Sequence, residues 1–81
     1  MNITIYTKSN CPNCIEAKRL LERHKLRHIA ISLDDPKALA QFVTDNPGVR
    51  QMPQIFFNDQ RVGGLAGLKA AMVQAKIVEA P

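Results

Sequence analysis

The sequence has no long apolar run, no tryptophan and only two cysteines among its 81 residues. No run approaches the roughly 18 apolar residues of a membrane-spanning helix, so we expect no membrane association. Residues 1–6 alternate apolar and polar side chains and lack the charged and apolar blocks of a signal peptide, which predicts a cytoplasmic protein. In a reducing compartment, two cysteines are not expected to form a permanent structural crosslink.

Aromatic residues are also scarce, with one tyrosine and three phenylalanines. The eleven basic and seven acidic residues give a net charge of +4, but aromatics are not interleaved with the basic residues as in nucleic-acid-binding surfaces. We therefore expect no nucleic-acid partner, although a mildly positive surface suits acidic partners or anionic ligands. Without repeats or a linker, residues 1–81 form a single predicted domain, with a frayed tail at 76–81.

The first half of the chain alternates strand and helix signals. Residues 3–6 have the two-residue period of a strand. A helix is predicted to begin at Pro12, with Ser9 or Asn10 as its cap. Its inner face is formed by residues at helical spacing, namely Cys14, Ala17, Leu21 and His24. Residues 27–33 alternate again and predict a second strand, whose apolar positions are Ile29, Ile31 and Leu33.

The second half continues with a helix capped by Asp35 and begun by Pro36, ending at residues 46–48. Its apolar stripe contains Leu39, Phe42 and Val43. Strands are predicted at 54–57 and 61–62, joined by a turn at 58–60. The last helix is marked by Leu65, Leu68, Met72 and Ala75, and Gly67 should weaken it by about 1 kcal/mol relative to alanine.

This order, β-α-β-α-β-β-α, predicts an α/β fold. Two strands joined through a helix should be parallel with a right-handed crossover, and the last two should form an antiparallel hairpin. A four-stranded mixed sheet with helices on both faces satisfies both conditions.

Both cysteines lie where the first strand passes into the first helix, in the order Cys11-Pro12-Asn13-Cys14. Unpaired N–H groups and the positive end of the helix dipole favour an anion there, so the pKa of Cys11 should fall below the ~8.5 of free cysteine. Lys8 adds a nearby cation. Cys11 is therefore predicted to be an exposed nucleophile, and Cys14, one turn into the helix, to be the less exposed residue that resolves a mixed disulfide.

Two other interpretations of the cysteines are weaker. Cys11, Cys14, His24 and His28 have the spacing C-x2-C-x9-H-x3-H, but a zinc finger normally has ~12 residues between the second cysteine and the first histidine. The two histidines also fall on different predicted elements. The cysteines could instead be two small buried residues, which would not explain a proline between them at the start of a helix.

Four blocks of sequence are similar to those of a known family. They are Tyr6-Thr7-Lys8 before Cys11-Pro12-Asn13-Cys14, Ala17-Lys18 with Leu20-Leu21, Met52-Pro53-Gln54-Ile55-Phe56, and Val62-Gly63-Gly64. In this order and spacing, over residues 3–75, the chain resembles a glutaredoxin, an oxidoreductase with the thioredoxin-like fold.

The resemblance implies a cis Pro53 beside the cysteines, with the backbone of Met52 turned toward the sulfurs to pair with a peptide-like substrate such as glutathione. It also implies close backbone approach at Gly63 and Gly64, and carboxylate binding by the following helix N-terminus and by Lys8. The implied glutathione-binding residues are Lys8, Pro12, Asn13, Arg50, Gln51, Met52, Pro53, Gly63, Gly64 and Leu65.

Three positions depart from the family pattern. Asn13 replaces a frequent tyrosine, and Leu65 and Ala66 replace a small polar residue and an aspartate, so glutathione affinity should be reduced. We expect a monomeric, glutathione-dependent thiol–disulfide oxidoreductase that acts on protein disulfides and glutathionylated substrates, with glutathione as co-substrate and no bound metal. One alternative is a redoxin that thioredoxin reductase reduces and that serves ribonucleotide reductase. Another is an iron–sulfur cluster carrier that binds its cluster through Cys11 and glutathione between two chains.

Overall fold

The computed structural model describes residues 1–78 and contains one four-stranded sheet with three helices. The elements are β1 (Ile3–Thr7), α1 (Pro12–Arg23), β2 (Ile29–Ser32), α2 (Pro36–Asp45), β3 (Gln54–Phe57), β4 (Gln60–Gly63) and α3 (Leu65–Gln74). The sheet order is β2-β1-β3-β4; β1 and β2 are parallel, and the other two pairings are antiparallel. The predicted α/β fold is thus confirmed. Within residues 1–78, no helix is long and apolar enough to cross a membrane.

The two faces of the sheet carry separate apolar clusters because side chains alternate along each strand. On one face, Ile3, Ile5 and Ile55 pack with residues of α1 and α3 such as Leu21 and Leu68, and together they form the α1–α3 cluster. On the other face, Tyr6 and Phe56 pack with α2; the ring centroids of Tyr6 and Phe42 lie 4.5 Å apart. The second cluster also includes both cysteines, so the reactive end of α1 rests on the face that α2 covers.

The two prolines at helix starts act as predicted, but the cap of α1 differs. Asp35 caps α2 ahead of Pro36, and its side chain accepts a hydrogen bond from the Lys37 N–H. For α1, which begins at Pro12, the cap is Cys11, whose sulfur lies 3.1 Å from the Cys14 backbone nitrogen. Neither residue predicted to cap α1 does so. Ser9 hydrogen-bonds to Asp34 instead, and Asn10 has a positive φ of 55° in the turn ahead of the helix.

β2 is shorter and more exposed than predicted. It covers Ile29–Ser32 instead of residues 27–33, and all four of its residues are exposed. Of the three apolar positions of the predicted strand, Leu33 lies after the strand ends and is 4% exposed, whereas Ile29 and Ile31 are 65% and 38% exposed. β2 is an edge strand, so it has a neighbour on one side only.

Four other local predictions need correction. His24 does not extend the inner face of α1 but lies at its C-cap and is half-buried. In α2 only Phe42 is buried, while Leu39 and Val43 are 39% and 41% exposed. Gln60 belongs to β4, so the hairpin turn contains Asn58 and Asp59 alone. In the predicted tail, Ile77 and Val78 pack against the α1–α3 cluster; residues 79–81 of that tail lie outside the described residues.

Gly67 has a packing role that the sequence interpretation missed. A Cβ atom placed on Gly67 would lie 1.9 Å from the carbonyl oxygen of Val62. α3 therefore approaches β4 more closely than any side chain at this position allows. The glycine that lowers intrinsic helix propensity is the residue that permits α3 to pack on the sheet.

Candidate active site

The two cysteines form a disulfide at the start of α1. Their Cα atoms are 5.2 Å apart, one helical turn from each other. β1 ends at Thr7, and the turn of residues 8–10 delivers Cys11 to the N-cap position. The two sulfurs are thus joined where the N-terminal amides of a helix converge.

Both cysteines are buried, which contradicts the expectation that Cys11 is exposed. Cys11 is 6% exposed and Cys14 is 3% exposed. Both cysteines pack in one buried cluster with Met52. Cys11 is nevertheless reachable, because it lines two open grooves that meet at the disulfide.

Two backbone groups are directed at the Cys11 sulfur. The Cys14 N–H donates to Cys11 Sγ across 3.1 Å, and this contact favours a thiolate once the disulfide is reduced. The Met52 carbonyl oxygen lies 3.6 Å from the same sulfur. In the disulfide, Cys11 Sγ carries no proton, so this contact is not a hydrogen bond. In the reduced protein, the Cys11 thiol can donate a hydrogen bond to the Met52 carbonyl oxygen. The amide is the nearer of the two groups, so the geometry favours the ionised form.

The Met52–Pro53 peptide bond is cis, and the segment around it is held from two sides. A Cβ on Gly64 would lie 3.4 Å from the Pro53 carbonyl oxygen, so this glycine packs directly against the proline. On the other side, the buried Gln54 donates from Nε2 to the Gln51 carbonyl at 3.0 Å. Gly63, with φ of 107°, makes the turn that brings the start of α3 to this point.

The first groove, of about 280 Å³, lies between the start of α1 and the loop before Pro53. It is lined by Lys8, Asn10, Pro12, Asn13, Gln51 and Met52 beside Cys11. Five of the residues implied to bind glutathione therefore meet here. Pro53 and Gly64 adjoin this region through Met52, and Gly63 precedes Gly64.

Two of the implied binding residues lie elsewhere. Arg50 is exposed and does not line the first groove. Leu65 is half-buried and packs against the α1–α3 cluster. Leu65 is the first residue of α3, whose N-cap is Gly64. No side chain caps the backbone amides at this helix end, and no acidic residue occupies its first turn.

The second groove, of about 330 Å³, lies on the β2 side of the disulfide. Its lining includes Lys8, Asn10, Ile15, Lys18, Ser32 and Asp34, with both Cys11 and Cys14. Asp34 accepts from the Ser9 backbone N–H at 2.8 Å and from the Ser9 hydroxyl. Those hydrogen bonds, the hydroxyl first, hold the pKa of Asp34 below its ordinary value of 3.8.

The sequence interpretation did not find this role of Asp34. The sequence predicts no role for Asp34 and only a possible helix-cap role for Ser9. The available signal was weak: the turn before the cysteines contains a serine, and an aspartate follows β2, whose C-terminal end adjoins that of β1 because the two strands are parallel.

The zinc-like spacing does not correspond to a cluster. His24 ends α1, and Nδ1 of His28 lies 2.9 Å from the carbonyl oxygen of Leu26. Over the described range 1–78, no three histidine, cysteine or acidic residues are grouped as metal ligands.

The sequence is similar to glutaredoxins from several bacteria. The glutaredoxin family model matches residues 3–62, well over half of the chain. Glutaredoxin 3 of Escherichia coli K12 is 35% identical over 69 residues, covering 85% of this chain and 83% of that protein. The glutaredoxin of Neisseria meningitidis is 41% identical over 68 residues, covering 82% and 79%.

Solved structures with the same fold include glutaredoxins and a glutaredoxin-like redoxin. Glutaredoxin 1 of Francisella tularensis superposes with a TM-score of 0.77 at 29% identity, covering 98% of both chains. The glutaredoxin-like NrdH-redoxin of Escherichia coli, described as having a thioredoxin-like activity profile, gives 0.73 at 28% identity over 100% of both. A buckwheat glutaredoxin in complex with glutathione gives 0.76 at 22% identity, covering 93% and 71%, and shows the shared fold. With the family's cysteine pair joined at the start of α1, this chain belongs to the glutaredoxin family and is a thiol–disulfide oxidoreductase with the thioredoxin-like fold.

Proposed function

We propose that this protein reduces protein disulfides and glutathionylated proteins and takes its electrons from glutathione. The observation that carries the proposal is the convergence on Cys11 of the first groove and the Met52 carbonyl, which lies 3.6 Å from the sulfur. An extended peptide such as glutathione can pair with the backbone of Met52 while its sulfur reaches Cys11. The uncapped start of α3, which adjoins Pro53 through Gly64, suits a carboxylate of the same ligand.

The reduction of a disulfide proceeds in two exchanges. The Cys11 thiolate attacks one sulfur of the substrate, the substrate S–S bond breaks, and the other substrate sulfur leaves as a thiolate. Cys14, losing its proton, then attacks Cys11 Sγ, which releases the second substrate sulfur and forms the Cys11–Cys14 disulfide. The substrate gains two electrons and two protons: the cysteine pair supplies both electrons and the Cys14 proton, and solvent supplies the second proton because Cys11 reacts as a thiolate.

Two glutathione molecules return the protein to the dithiol. The thiolate of the first attacks Cys11 Sγ, and Cys14 leaves as the thiolate. The second attacks the glutathione sulfur of the resulting mixed disulfide, which yields glutathione disulfide and the free Cys11 thiolate. The Cys14 N–H, 3.1 Å from Cys11 Sγ, stabilises Cys11 as the leaving group in this last step.

A specific observation favours one alternative reductant, thioredoxin reductase. The first turn of α3 contains no acidic residue that could accept the ammonium group of glutathione, because Leu65 and Ala66 occupy the relevant positions. The similarity to the NrdH-redoxin along its whole length supports the same alternative. In that case the protein would turn over without glutathione and would serve a reductase such as ribonucleotide reductase.

A coupled NADPH assay distinguishes the two reductants. The protein is incubated with a peptide disulfide and NADPH, in one reaction with glutathione and glutathione reductase and in the other with thioredoxin reductase alone. We expect NADPH oxidation in the first reaction to depend on the protein and to exceed that in the second. Turnover only with thioredoxin reductase would replace our proposal with the alternative, and turnover in neither would refute both.

A further inference from the structure

The disulfide can be approached from two sides, and the proposed binding of glutathione uses only one of them. The first groove is lined by Cys11 but not by Cys14. The second groove, on the β2 side, is lined by both cysteines and is the larger of the two, about 330 Å³ against about 280 Å³. A molecule bonded to Cys11 can therefore also contact the second groove beside Cys14, whose lining differs from that of the first groove.

The charge of the second groove is positive, because two lysines outnumber its single carboxylate. Lys18 is half-buried on α1, one turn after Cys14, and forms no ion pair with any other described residue. Lys8 is exposed at the point where both grooves meet. The Asp34 carboxylate accepts hydrogen bonds from both the N–H and the hydroxyl of Ser9, so it already has hydrogen-bond partners within the protein.

The rim of the second groove is partly apolar. Ile15, on the first turn of α1, is 56% exposed and lies next to the reactive pair. An exposed isoleucine beside an unpaired lysine suits a polypeptide with both an apolar and an acidic side chain near its cysteine. Glutathione has carboxylates but no apolar side chain, so the exposed Ile15 has no counterpart in it, and its proposed contacts with Met52 and Cys11 lie in the first groove.

We propose that the second groove binds the polypeptide of a protein disulfide substrate and selects for acidic residues next to the substrate cysteine. The inference rests on the proposed function, since it concerns the same exchange at Cys11. In the mixed disulfide, one substrate sulfur is bonded to Cys11 Sγ and the substrate chain crosses the second groove, with its acidic residues near Lys18 and Lys8. Attack by Cys14 on Cys11 Sγ then breaks the bond to the substrate and releases the reduced chain.

Single-turnover kinetics with two synthetic peptides test the selection. Each peptide contains one intramolecular disulfide between two cysteines; aspartates flank the cysteines in one and lysines flank them in the other. The pre-reduced protein is mixed with each peptide at ~0.02 M ionic strength, where surface charges are weakly screened. We expect the second-order rate constant to be about fivefold higher for the acidic peptide, as a pair of partly exposed charges would give.

Two charge-reversal variants locate the preference. Lys18→Glu should reduce the ratio of the two rate constants to about one or below, and Lys18→Gln should give an intermediate ratio. Lys69→Glu changes the net charge equally but lies on the exposed face of α3, outside both grooves, and should leave the wild-type ratio nearly unchanged. Because the readout is a ratio within one protein, a general loss of reactivity in a variant does not affect it.

The outcomes separate this inference from the function on which it rests. Equal rate constants for both peptides, or a ratio that changes as much in Lys69→Glu as in Lys18→Glu, would overturn the role of the second groove and leave the oxidoreductase intact. A pre-reduced wild-type protein that reacts with neither peptide would refute the proposed function itself. The assay contains neither glutathione nor thioredoxin reductase, so its result does not depend on which one is the reductant.

Discussion

The Ser9 backbone N–H donates a hydrogen bond of 2.8 Å to Oδ1 of Asp34, and the Ser9 hydroxyl donates to Oδ2 of the same carboxylate. The two residues are 25 positions apart in the sequence. One belongs to the turn before the reactive cysteines, and the other follows β2. The carboxylate thus ties the turn that presents Cys11 to the neighbouring edge of the sheet.

The first prediction concerns the titration of Asp34. The hydrogen bonds from Ser9 lower the pKa of this carboxyl below 3.8, so the ionised form is the one that stabilises the fold. Its contribution is present above pH 3.8 and is lost as the pH falls through the lowered value. In a carbon-detected NMR titration, Asp34 should titrate below 3.8 in the wild type and closer to 3.8 in Ser9→Ala. Identical titration curves in the two proteins would contradict this role of the hydroxyl.

The second prediction concerns the close approach of α3 to β4. Gly67→Ala would place a methyl group 1.9 Å from the Val62 carbonyl oxygen, although alanine is the better helix former. We expect a loss of about 1–3 kcal/mol in the free energy of unfolding, measured by urea denaturation.

The matched control for Gly67→Ala is Ala70→Gly, at an exposed position of the same helix. It should cost only about 0.5–1 kcal/mol through helix propensity. If Gly67→Ala instead stabilised the protein, propensity would dominate at this position and the packing interpretation would be wrong.

The third prediction concerns the anchoring of α2. Phe42, 6% exposed, is the buried side chain of this helix and contacts Tyr6 across 4.5 Å between ring centroids. Phe42→Ala should lower the free energy of unfolding by about 3–5 kcal/mol. Leu39→Ala, whose side chain is 39% exposed, should cost only about 1 kcal/mol. Similar losses in the two variants would show that α2 is held by its whole apolar stripe.

The fourth prediction separates the roles of the two cysteines. Cys11→Ser should abolish all exchange, because it removes the attacking sulfur. Cys14→Ser should lose the reduction of protein disulfides but retain the reduction of glutathionylated peptide, since a second glutathione can resolve that intermediate. Both reactions are followed by NADPH oxidation coupled through glutathione reductase. An equal loss of both reactions in both variants would contradict the division of roles.

Much of the fold could be predicted because its signals are local. Pro12 and Pro36 mark the first turns of α1 and α2, and the strand at residues 54–57 has the predicted bounds. The cis bond at Pro53 was implied by the resemblance to glutaredoxins and is present in the structure. No local property of the residues around Pro53 would have predicted it, because most X–Pro bonds are trans.

The features that the sequence did not reveal depend on contacts between distant segments. The buried Cys11 packs in one cluster with Met52, 41 residues later, whose carbonyl oxygen lies 3.6 Å from its sulfur. Ser9 hydrogen-bonds to Asp34, which becomes its neighbour only after β2 pairs with β1. The exposure of Ile29 follows from the edge position of β2, since the same alternating pattern would be half-buried in a central strand.

The most direct test of the reaction chemistry measures the ionisation of Cys11 in the reduced protein. The Cys14→Ser variant leaves Cys11 as the single thiol, and its rate of alkylation by iodoacetamide is measured from pH 4 to pH 10. Because the Cys14 position supplies an N–H 3.1 Å from Cys11 Sγ at the start of α1, we expect the rate to reach half its maximum well below the ~8.5 of free cysteine. A midpoint at or above ~8.5 would contradict Cys11 as the attacking thiolate.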